Sequence, residues 1–342
     1  MKILSLFDGM ACGALAMQAA GIEIDKYIAY EVDKYAIQTA QHNFPFIEER
    51  GDVFKADFKE YAGFDYLIGG SPCTYWSIAQ TKNRETVASG MGWELFSQYV
   101  RALHEAKPRF FLYENNKSMS AAICASITET FGFEPILINS ALVSAQNRQR
   151  LYWCGIRQAD GTYKKADIQQ PTDRGILLKD ILETNALTWQ EKAYTFTTRC
   201  QSAIIDNTLE KHQHTMVAEP VNITKDGKAG TLRATYYKDG VRNLIANSID
   251  KKTCVAMRVN EATKAVPIYE VKDGFITVNG NKYPIKLVDG FYIIRKLTVR
   301  ECMRLQTVPE WYEWPVSKSQ AYKMLGNGWT VEVIAHLLRG LK

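Results

Sequence analysis

No C-x-x-C pair occurs in this chain, and its seven cysteines (12, 73, 124, 154, 200, 254 and 302) are scattered. An odd, unpatterned set excludes a disulfide framework and suits reduced thiols. Histidine is scarce. The one close pair, His212 and His214, has no cysteine or carboxylate beside it at zinc-ligand spacing, so no metal site is expected. No apolar run approaches the roughly 18 residues that a membrane span needs. Met1-Lys2-Ile3-Leu4 leads directly into a strand pattern without a signal peptide, so a cytoplasmic protein without membrane contact is expected. An excess of one charge is also lacking. A formal net charge of +5 is too mild to identify a polyanionic partner.

What is present is enough apolar material for a core. At 342 residues and 46% hydrophobic content, the chain suits one large domain with a smaller companion. Residues 1–157 alternate short apolar runs with amphipathic stretches, the pattern of a doubly wound, mostly parallel α/β sheet. Strands are expected at Ile3–Phe7, Tyr27–Glu31, Tyr66–Ile68, Phe110–Tyr113, Ile136–Ile138 and Leu151–Ile156, with a poorly marked one near Ile47–Glu49. Helical patterns fall at about 13–20, 33–43, 92–106 and 118–131. Residues 158–294 change texture to short β-like runs. Asp226-Gly227, Asp239-Gly240, Asp273-Gly274, Asn279-Gly280 and Asp289-Gly290 separate them, and such dipeptides favour tight hairpins. A smaller β-rich domain is expected there. Residues 295–342 return to helix, interrupted at Gly326-Asn327-Gly328, and are expected to pack back on the first domain.

The chemistry-bearing residues cluster where strands end. The run Asp65–Gly70 leads into Ser71-Pro72-Cys73-Thr74, which sets a cysteine at the rim of the expected sheet, where open α/β folds bind ligands. A free cysteine is more often a small buried hydrophobe, so its neighbours must decide. The first strand ends in Phe7-Asp8-Gly9-Met10-Ala11-Cys12-Gly13, a glycine-bearing turn before a helix that lacks the G-x-G-x-x-G spacing of a dinucleotide site. The second ends in Glu31-Val32-Asp33, where a carboxylate can accept both ribose hydroxyls. Gly51-Asp52-Val53 supplies a third acidic turn. Each turn alone also reads as an ordinary cap. Together they describe a pocket for a nucleoside without a phosphate requirement, and S-adenosylmethionine fits that better than NAD. The strand ending in Tyr113-Glu114-Asn115-Asn116 offers a carboxyl beside the Cys73 loop. In Gln146-Asn147-Arg148-Gln149-Arg150, two arginines on alternate residues point the same way and suit a base carbonyl or a phosphate, or a solvated face.

The ordered series Phe7-Asp8-Gly9, Glu31, Asp52-Val53, Ser71-Pro72-Cys73, Glu114-Asn115, Gln146-x-Arg148-x-Arg150 and Gly326-Asn327-Gly328 resembles the motifs of DNA cytosine-5 methyltransferases. The resemblance spans the chain except about 158–294. The catalytic half looks most like the animal de novo enzymes, in Leu4–Gly9, Ile68–Cys73 and Trp329, while the middle domain suggests a compact bacterial or phage enzyme. Two departures stand out. Asn116 replaces the family's usual valine, and Thr74 its usual glutamine.

The resemblance implies methyl transfer from S-adenosylmethionine, with S-adenosylhomocysteine as product, to C5 of a cytosine flipped out of double-stranded DNA. Cys73 becomes the nucleophile at C6, Glu114 the contact to N3 and the exocyclic amine, Arg150 the contact to the base carbonyl, and Arg148 a support for the Cys73 loop and a phosphate. Cofactor contacts are implied at Phe7, Asp8, Gly9, Met10, Glu31, Val32, Asp52, Val53, Pro72, Leu95, Asn327 and Trp329. In that reading Glu31 takes the ribose, Asp52 the adenine amine and Val32 and Val53 the adenine faces. The loop Thr74–Gly92, with Lys82, Arg84, Ser89 and Gly90, is expected to order on DNA.

Residues 158–294 become a target-recognition domain, with Arg199, Gln201, His212, His214, Arg233, Tyr236, Tyr237, Lys238, Arg242 and Arg258 as candidate readers. A monomer is expected, compatible with a separately acting cognate restriction endonuclease. An RNA cytosine methyltransferase and a catalytically silent DNA-binding protein are the rival readings. A cysteine hydrolase would need a histidine base that the chain does not offer.

Overall fold

The computed structural model describes residues 1–77, 84–183, 186–198, 205–221, 244–250, 253–258 and 266–342. It divides into two compact units: Met1–Ile176 with Met303–Lys342, and Leu177–Cys302. The sequence texture put the changes at 157/158 and 294/295. The first division falls later because Tyr163–Lys165 adds a strand to the large sheet. The second falls later because Arg295 still belongs to a strand of the smaller one.

The first unit is built on an eight-stranded sheet. Its strands are β1 (Lys2–Leu6), β2 (Lys26–Tyr30), β3 (Glu48–Glu49), β4 (Tyr66–Gly69), β5 (Phe110–Asn116), β6 (Ile136–Asn139), β7 (Gln149–Arg157) and β8 (Tyr163–Lys165). The order is β3-β2-β1-β4-β5-β7-β6, with β8 on β7. Neighbours from β3 to β5 pair in parallel, and β7 runs antiparallel to β5, β6 and β8. The expected doubly wound α/β fold is therefore the observed one. Its central strands are apolar throughout because both faces are covered. Tyr66, Leu67 and Ile68 of β4, and Phe111, Leu112 and Tyr113 of β5, are fully buried.

Four helices follow strand ends: α1 (Cys12–Ala19), α2 (Lys34–Asn43), α3 (Gly90–Ala106) and α4 (Ala121–Phe131). The side chains of Asp33 and Ser120 cap α2 and α4, accepting from Tyr35 N and Ile123 N. Helix α1 lies close on the sheet because Gly13 has no side chain. A Cβ there would stand 2.4 Å from Tyr27 Oη and 2.5 Å from Ile68 Cδ1. Beneath β5, the ring of Phe131 packs against Phe96, Phe111, Tyr113 and Trp153, with centroids 4.9–6.1 Å apart. This aromatic mass fixes the strand whose end carries Glu114. C-terminal helices Lys318–Asn327 and Val331–Gly340 complete the unit, and Val331–Gly340 packs on α1.

In the second unit the described strands are β9 (Met216–Pro220), β10 (Leu244–Asp250), β11 (Thr253–Arg258), β12 (Val266–Lys272), β13 (Phe275–Val278), β14 (Asn281–Pro284) and β15 (Gly290–Lys296). All their pairings are antiparallel. Asp273-Gly274 and Asn279-Gly280 turn the hairpins β12–β13 and β13–β14 with positive φ at both positions, as the sequence predicts. Asp289-Gly290 differs, because Gly290 opens β15 and makes no two-residue turn. Asp226-Gly227 and Asp239-Gly240 lie outside the described residues. Ala218, Val271, Ile276, Val278, Ile285 and Tyr292 form this unit's core. Arg295 is clamped between Glu219 (2.6 Å) and the fully buried Glu301 (2.8 Å), which also accepts from Thr298 N. Among the described residues no helix is long and apolar enough to cross a membrane.

Among the described residues, a partly buried carboxyl on β3 is left unpaired. Both carboxyl oxygens of Glu49 on β3 lack a hydrogen-bond partner. Burial, and then the charges of Asp8 and Glu31, push its pKa up to about 8. A carboxyl raised in the fold contributes most stability below its unfolded value, and the contribution is lost as pH rises through the folded value. Glu49→Gln is therefore expected to stabilise the protein at about pH 8.5 by on the order of 1–2 kcal/mol, allowing for its partial solvent access. It should also flatten the pH dependence of the thermal midpoint between about pH 5 and 8.5. Melts of the variant with an unaltered slope would contradict this assignment.

Candidate active site

The turn after β1 is locally strained and firmly pinned. Phe7, Gly9 and Ala11 all have positive φ, at 59°, 64° and 62°. Such a backbone costs a non-glycine residue on the order of 1 kcal/mol or more and persists only where surroundings enforce it. Here Phe7 N donates to Tyr30 O (2.8 Å) and Tyr312 Oη donates to Met10 O (2.6 Å). Gly9 N is aimed at Glu31 Oε2, 2.9 Å away, and nothing lies within 4 Å of where a Gly9 Cβ would be, so a ligand can approach this backbone. Glu31 Oε1 accepts from the amides of Val32 and Asp33. The carboxylate is thus oriented by three N–H groups and keeps lone pairs for a ligand's hydroxyls.

Asp8 is buried behind this turn. Its Oδ1 accepts from Ser5 Oγ (2.5 Å) and Tyr27 Oη (2.6 Å), while Oδ2 is buried without a partner. Burial dominates over these hydrogen bonds and pushes the pKa up to about 6.

Next to it lies the Cys73 loop. Pro72 and Cys73 open a short 3-10 turn, Cys73–Tyr75, with the cysteine only partly buried. The loop is tied to the end of β5: Asn115 Nδ2 donates to Ser71 O (3.1 Å), and the hydroxyls of Ser71 and Tyr113 lie 2.6 Å apart. Asn116 costs nothing in place of an apolar residue, because its amide meets Asn115 Oδ1 and the Ser118 hydroxyl. Glu114 protrudes from the same strand. Gly70 makes room for it, since a Cβ there would stand 2.8 Å from both the Glu114 carbonyl oxygen and Oε2.

The arginines arrive at the start of β7, Arg150 on the strand and Arg148 just before it. Its antiparallel register sets Arg150 opposite Asn116, two residues from Glu114 and on the same face. Arg150 Nε meets Glu114 Oε1 at 3.0 Å, and Trp329 Nε1 donates to Glu114 Oε2 at 3.0 Å. Arg148 is only 3% exposed and donates through Nη2 to Gly328 O (2.9 Å) and Gly326 O (3.4 Å). Burial first, then the charge of Arg150, lowers its pKa to about 10 against the opposing pull of Glu114. The sequence reading has Arg148 support the Cys73 loop and a phosphate; in the structure it donates to the glycine turn, with the Cys73 sulfur in its electrostatic field.

These parts line one cavity. It brings together Cys73, Glu114, Arg148 and Arg150 with Phe7, Asp8, Gly9, Met10, Glu31, Pro72, Asn327 and Trp329. Four other expected contacts are not in its wall. Val32 is 72% exposed, Val53 is buried in the main core, and Leu95 packs against that core. Asp52 Oδ1 accepts from Phe54 N. Cys12, Asp33, Lys323 and Met324 line the cavity although the sequence reading did not select them. The available signal for Lys323 was its place one helical turn before Asn327. Lys323 Nζ bonds Asp33 Oδ2 at 2.6 Å. Burial would raise Asp33, but the Lys323 bond and the Tyr35 amide outweigh it and hold the carboxyl below its usual value.

The loop after Cys73 is more anchored than its polar sequence suggests. Trp76 is fully buried with Nε1 on Glu85 Oε2 (3.0 Å), and Glu85 also accepts from Gly92 N at the start of α3. Arg84 donates to Trp76 O and Ser118 O, so its guanidinium braces the fold, and Gly90 is already helical. Lys82 lies outside the described residues, as do the candidate readers Arg199, Gln201, Arg233, Tyr236, Tyr237, Lys238 and Arg242. Arg258 ends β11. His212 has Nδ1 3.0 Å from Tyr194 Oη, and His214 is partly buried.

Carboxylates at Asp8, Glu31 and Asp33 make the cavity unsuited to a pyrophosphate. The unpartnered Asp8 oxygen and the oriented Glu31 carboxylate suit a cationic, ribose-bearing ligand, which is the chemistry of S-adenosylmethionine. Comparison with known proteins agrees. The family model described as C-5 cytosine-specific DNA methylase matches residues 1–342. Orphan methyltransferase M.SPRI of Bacillus phage SPR is 25% identical over 433 residues, covering 100% of this chain and 97% of that protein. Type II methyltransferase M1.ScrFI of Lactococcus lactis subsp. cremoris is 28% identical over 353 residues, covering 97% and 76%. The crystal structure of S. pombe Dnmt2 methyltransferase shares the fold, with TM-score 0.59, 14% identity and coverage of 100% and 98%.

Gly70→Ala tests the fit around Glu114. The added methyl group must displace the carboxylate or its strand, and a misplacement of about 1 Å in a reacting group costs up to about a hundredfold in rate. We expect turnover to fall at least about tenfold while cofactor affinity, measured by equilibrium dialysis, stays within about twofold. Wild-type turnover would show that Glu114 tolerates displacement.

Proposed function

The chain belongs to the C-5 cytosine-specific DNA methylase family and is an S-adenosylmethionine-dependent DNA cytosine-5 methyltransferase, and we propose that Cys73, Glu114, Arg148 and Arg150 are its working groups. The observation that carries this reading is the single cavity in which a partly exposed cysteine faces a carboxyl and two arginines at one end and an acid-lined turn at the other.

Cytosine C5 is too weak a nucleophile to take a methyl group unaided. Addition of the Cys73 thiolate to C6 pushes an electron pair into the ring, and Glu114 supplies a proton at N3 that neutralises the charge as it develops. Glu114 also accepts from the exocyclic amine, which selects cytosine. Arg150 turns to the carbonyl at C2. Arg148 holds the Gly326–Gly328 turn and keeps positive charge near the thiolate. The cofactor, when bound, supplies an electrophilic methyl group to C5. Loss of the C5 proton to solvent, expulsion of the Cys73 thiolate and return of the N3 proton to Glu114 restore the neutral aromatic ring.

Asp8, Gly9 and Asn327, which line the cavity, would hold the methionine end, and Glu31 the ribose. In this reading the exposed Val32 and the capping Asp52 would meet the adenine. The product is S-adenosylhomocysteine. The target base must leave the duplex to reach Cys73, and the segment between Ser77 and Arg84 has the polarity to follow the DNA. The hairpin-bearing unit Leu177–Cys302 would be the target-recognition domain. A cytoplasmic monomer suits one active site with one recognition domain, and a cognate endonuclease would act as a separate protein.

The deciding measurement is transfer of labelled methyl groups to duplex DNA, with Cys73→Ala and an RNA substrate in parallel, followed by base-resolution mapping. We expect label at cytosine C5 in duplex DNA and a loss of at least about 10³-fold in the variant. Full transfer by Cys73→Ala would remove Cys73 from the mechanism. Label confined to RNA would move the substrate assignment.

A further inference from the structure

Resting on the reading of Glu114 as the base-binding carboxyl, we propose that Trp329 is its positioning residue: the indole N–H holds Glu114 Oε2 in the free enzyme and yields that oxygen to the exocyclic amine of the flipped cytosine.

The geometry gives each Glu114 oxygen one donor, Arg150 Nε on Oε1 and Trp329 Nε1 on Oε2, both at 3.0 Å. The carboxyl is 12% exposed and Arg150 14%, so few waters compete for these bonds. The Watson–Crick edge of cytosine asks for something else. Its amine needs an acceptor, which Oε2 can be, but its N3 is itself an acceptor and needs a proton on the carboxyl. The resting arrangement therefore gives both Glu114 oxygens a donor, whereas the base asks one of them to donate. Binding must exchange donors. Arg150 leaves for the base carbonyl, and the cytosine amine replaces the indole N–H as the donor to Oε2.

Trp329 can make that exchange by side-chain rotation alone, because its backbone is fixed. Gly328 O receives Arg148 Nη2 (2.9 Å) and Gln306 Nε2 (3.3 Å), and Trp329 O receives the thiol of Cys12 at 3.9 Å. The turn that carries the indole also lines the cofactor end of the cavity, so base occupancy and cofactor contacts meet at one side chain.

A pH profile separates this role from a merely structural one. The titratable groups around Glu114 are Arg148, Arg150 and Tyr152 from the β7 segment, Tyr113 on its own strand, Cys12 at the start of α1, and Cys73. Tyr113 and Tyr152 are raised far above neutrality by burial, and Cys12 is pushed up to about 12. A step that needs Glu114 protonated and Cys73 as the thiolate gives a bell-shaped profile, with one limb set by each group. In kcat/KM, which reports the free enzyme, Trp329→Phe is expected to move the limb set by Glu114 up by about 0.5–1 pH unit, since a donor to the carboxylate is lost. In kcat, which reports the loaded enzyme, the limb should stay in place because the indole has already left. Equal shifts in both profiles, or none in kcat/KM, would overturn the proposal, as would a change confined to cofactor affinity.

Trp329→Leu serves if the phenylalanine variant does not fold. On the unaltered enzyme, the low-field indole N–H resonance should move upfield when duplex DNA bearing 5-fluorocytosine is bound with cofactor, and its persistence would likewise overturn the proposal. Glu114→Gln is run alongside. Full activity in that variant would mean that the assigned role of Glu114 has failed, a result distinct from any outcome for Trp329.

Discussion

The reversal of β7 is the constraint on which the site depends. Strands β1 to β5 run in parallel and deliver their loops to one edge of the sheet, as a doubly wound fold does. β7 inserts antiparallel between β5 and β6, so its beginning, not its end, lies at that edge. Arg148 and Arg150 therefore meet the C-terminal end of β5, where Glu114 stands. Had β7 been parallel, the same residues would lie at the far end of the sheet. The alternation of side chains then puts both arginines on the face of Glu114, and their spacing separates two tasks. Arg150 reaches the carboxyl, while Arg148, one step nearer the C-terminal turn, is buried against glycine carbonyls.

Charge burial explains why so many groups in this region hold one another. A buried ion without partners is costly, and breaking one member of a buried pair costs more than the pair contributes. Glu114 and Arg150 avoid that cost in the free enzyme by pairing, and Arg148 by binding backbone oxygens. Substrate must replace these contacts one for one. The small residues fit this requirement. Gly70 leaves space for the Glu114 carboxylate, and Gly328 puts a carbonyl within reach of Arg148.

Much of this was legible in the sequence because strand ends are. Apolar runs that stop at glycine, proline or an acidic residue marked the loops bearing Asp8, Glu31, Cys73 and Glu114, and local periodicity placed the helices that follow. The two-residue turns at Asp273 and Asn279 were legible for a conformational reason, their positive φ. Contacts between remote segments were not. The bond from Trp329 to Glu114 joins residues 215 apart, and the Lys323 pair with Asp33 joins residues 290 apart. Nothing local in either segment encodes the partner. Polar composition also misled in the loop after Cys73, where Arg84 and Glu85 are spent on Trp76, Ser118 and the start of α3. A polar residue reads as solvated until the backbone groups it satisfies are known.

The cofactor end of the cavity follows a different electrostatic logic from the base end. Asp8 and Glu31 lie near each other and near Glu49, and each raises the cost of ionising its neighbours. Only Glu31 is fully served by backbone amides. Asp8 keeps one unpartnered oxygen and Glu49 two. Such a cluster is tolerated in the empty fold because protonation relieves it, as the raised values of Asp8 and Glu49 indicate. A ligand carrying positive charge relieves it in a second way, by favouring the ionised forms. Cation and proton then compete for the same carboxyls, so affinity for a charged cofactor must rise with pH through the range in which Asp8 titrates, near 6. A product that has lost its positive charge with its methyl group gains less from those carboxylates.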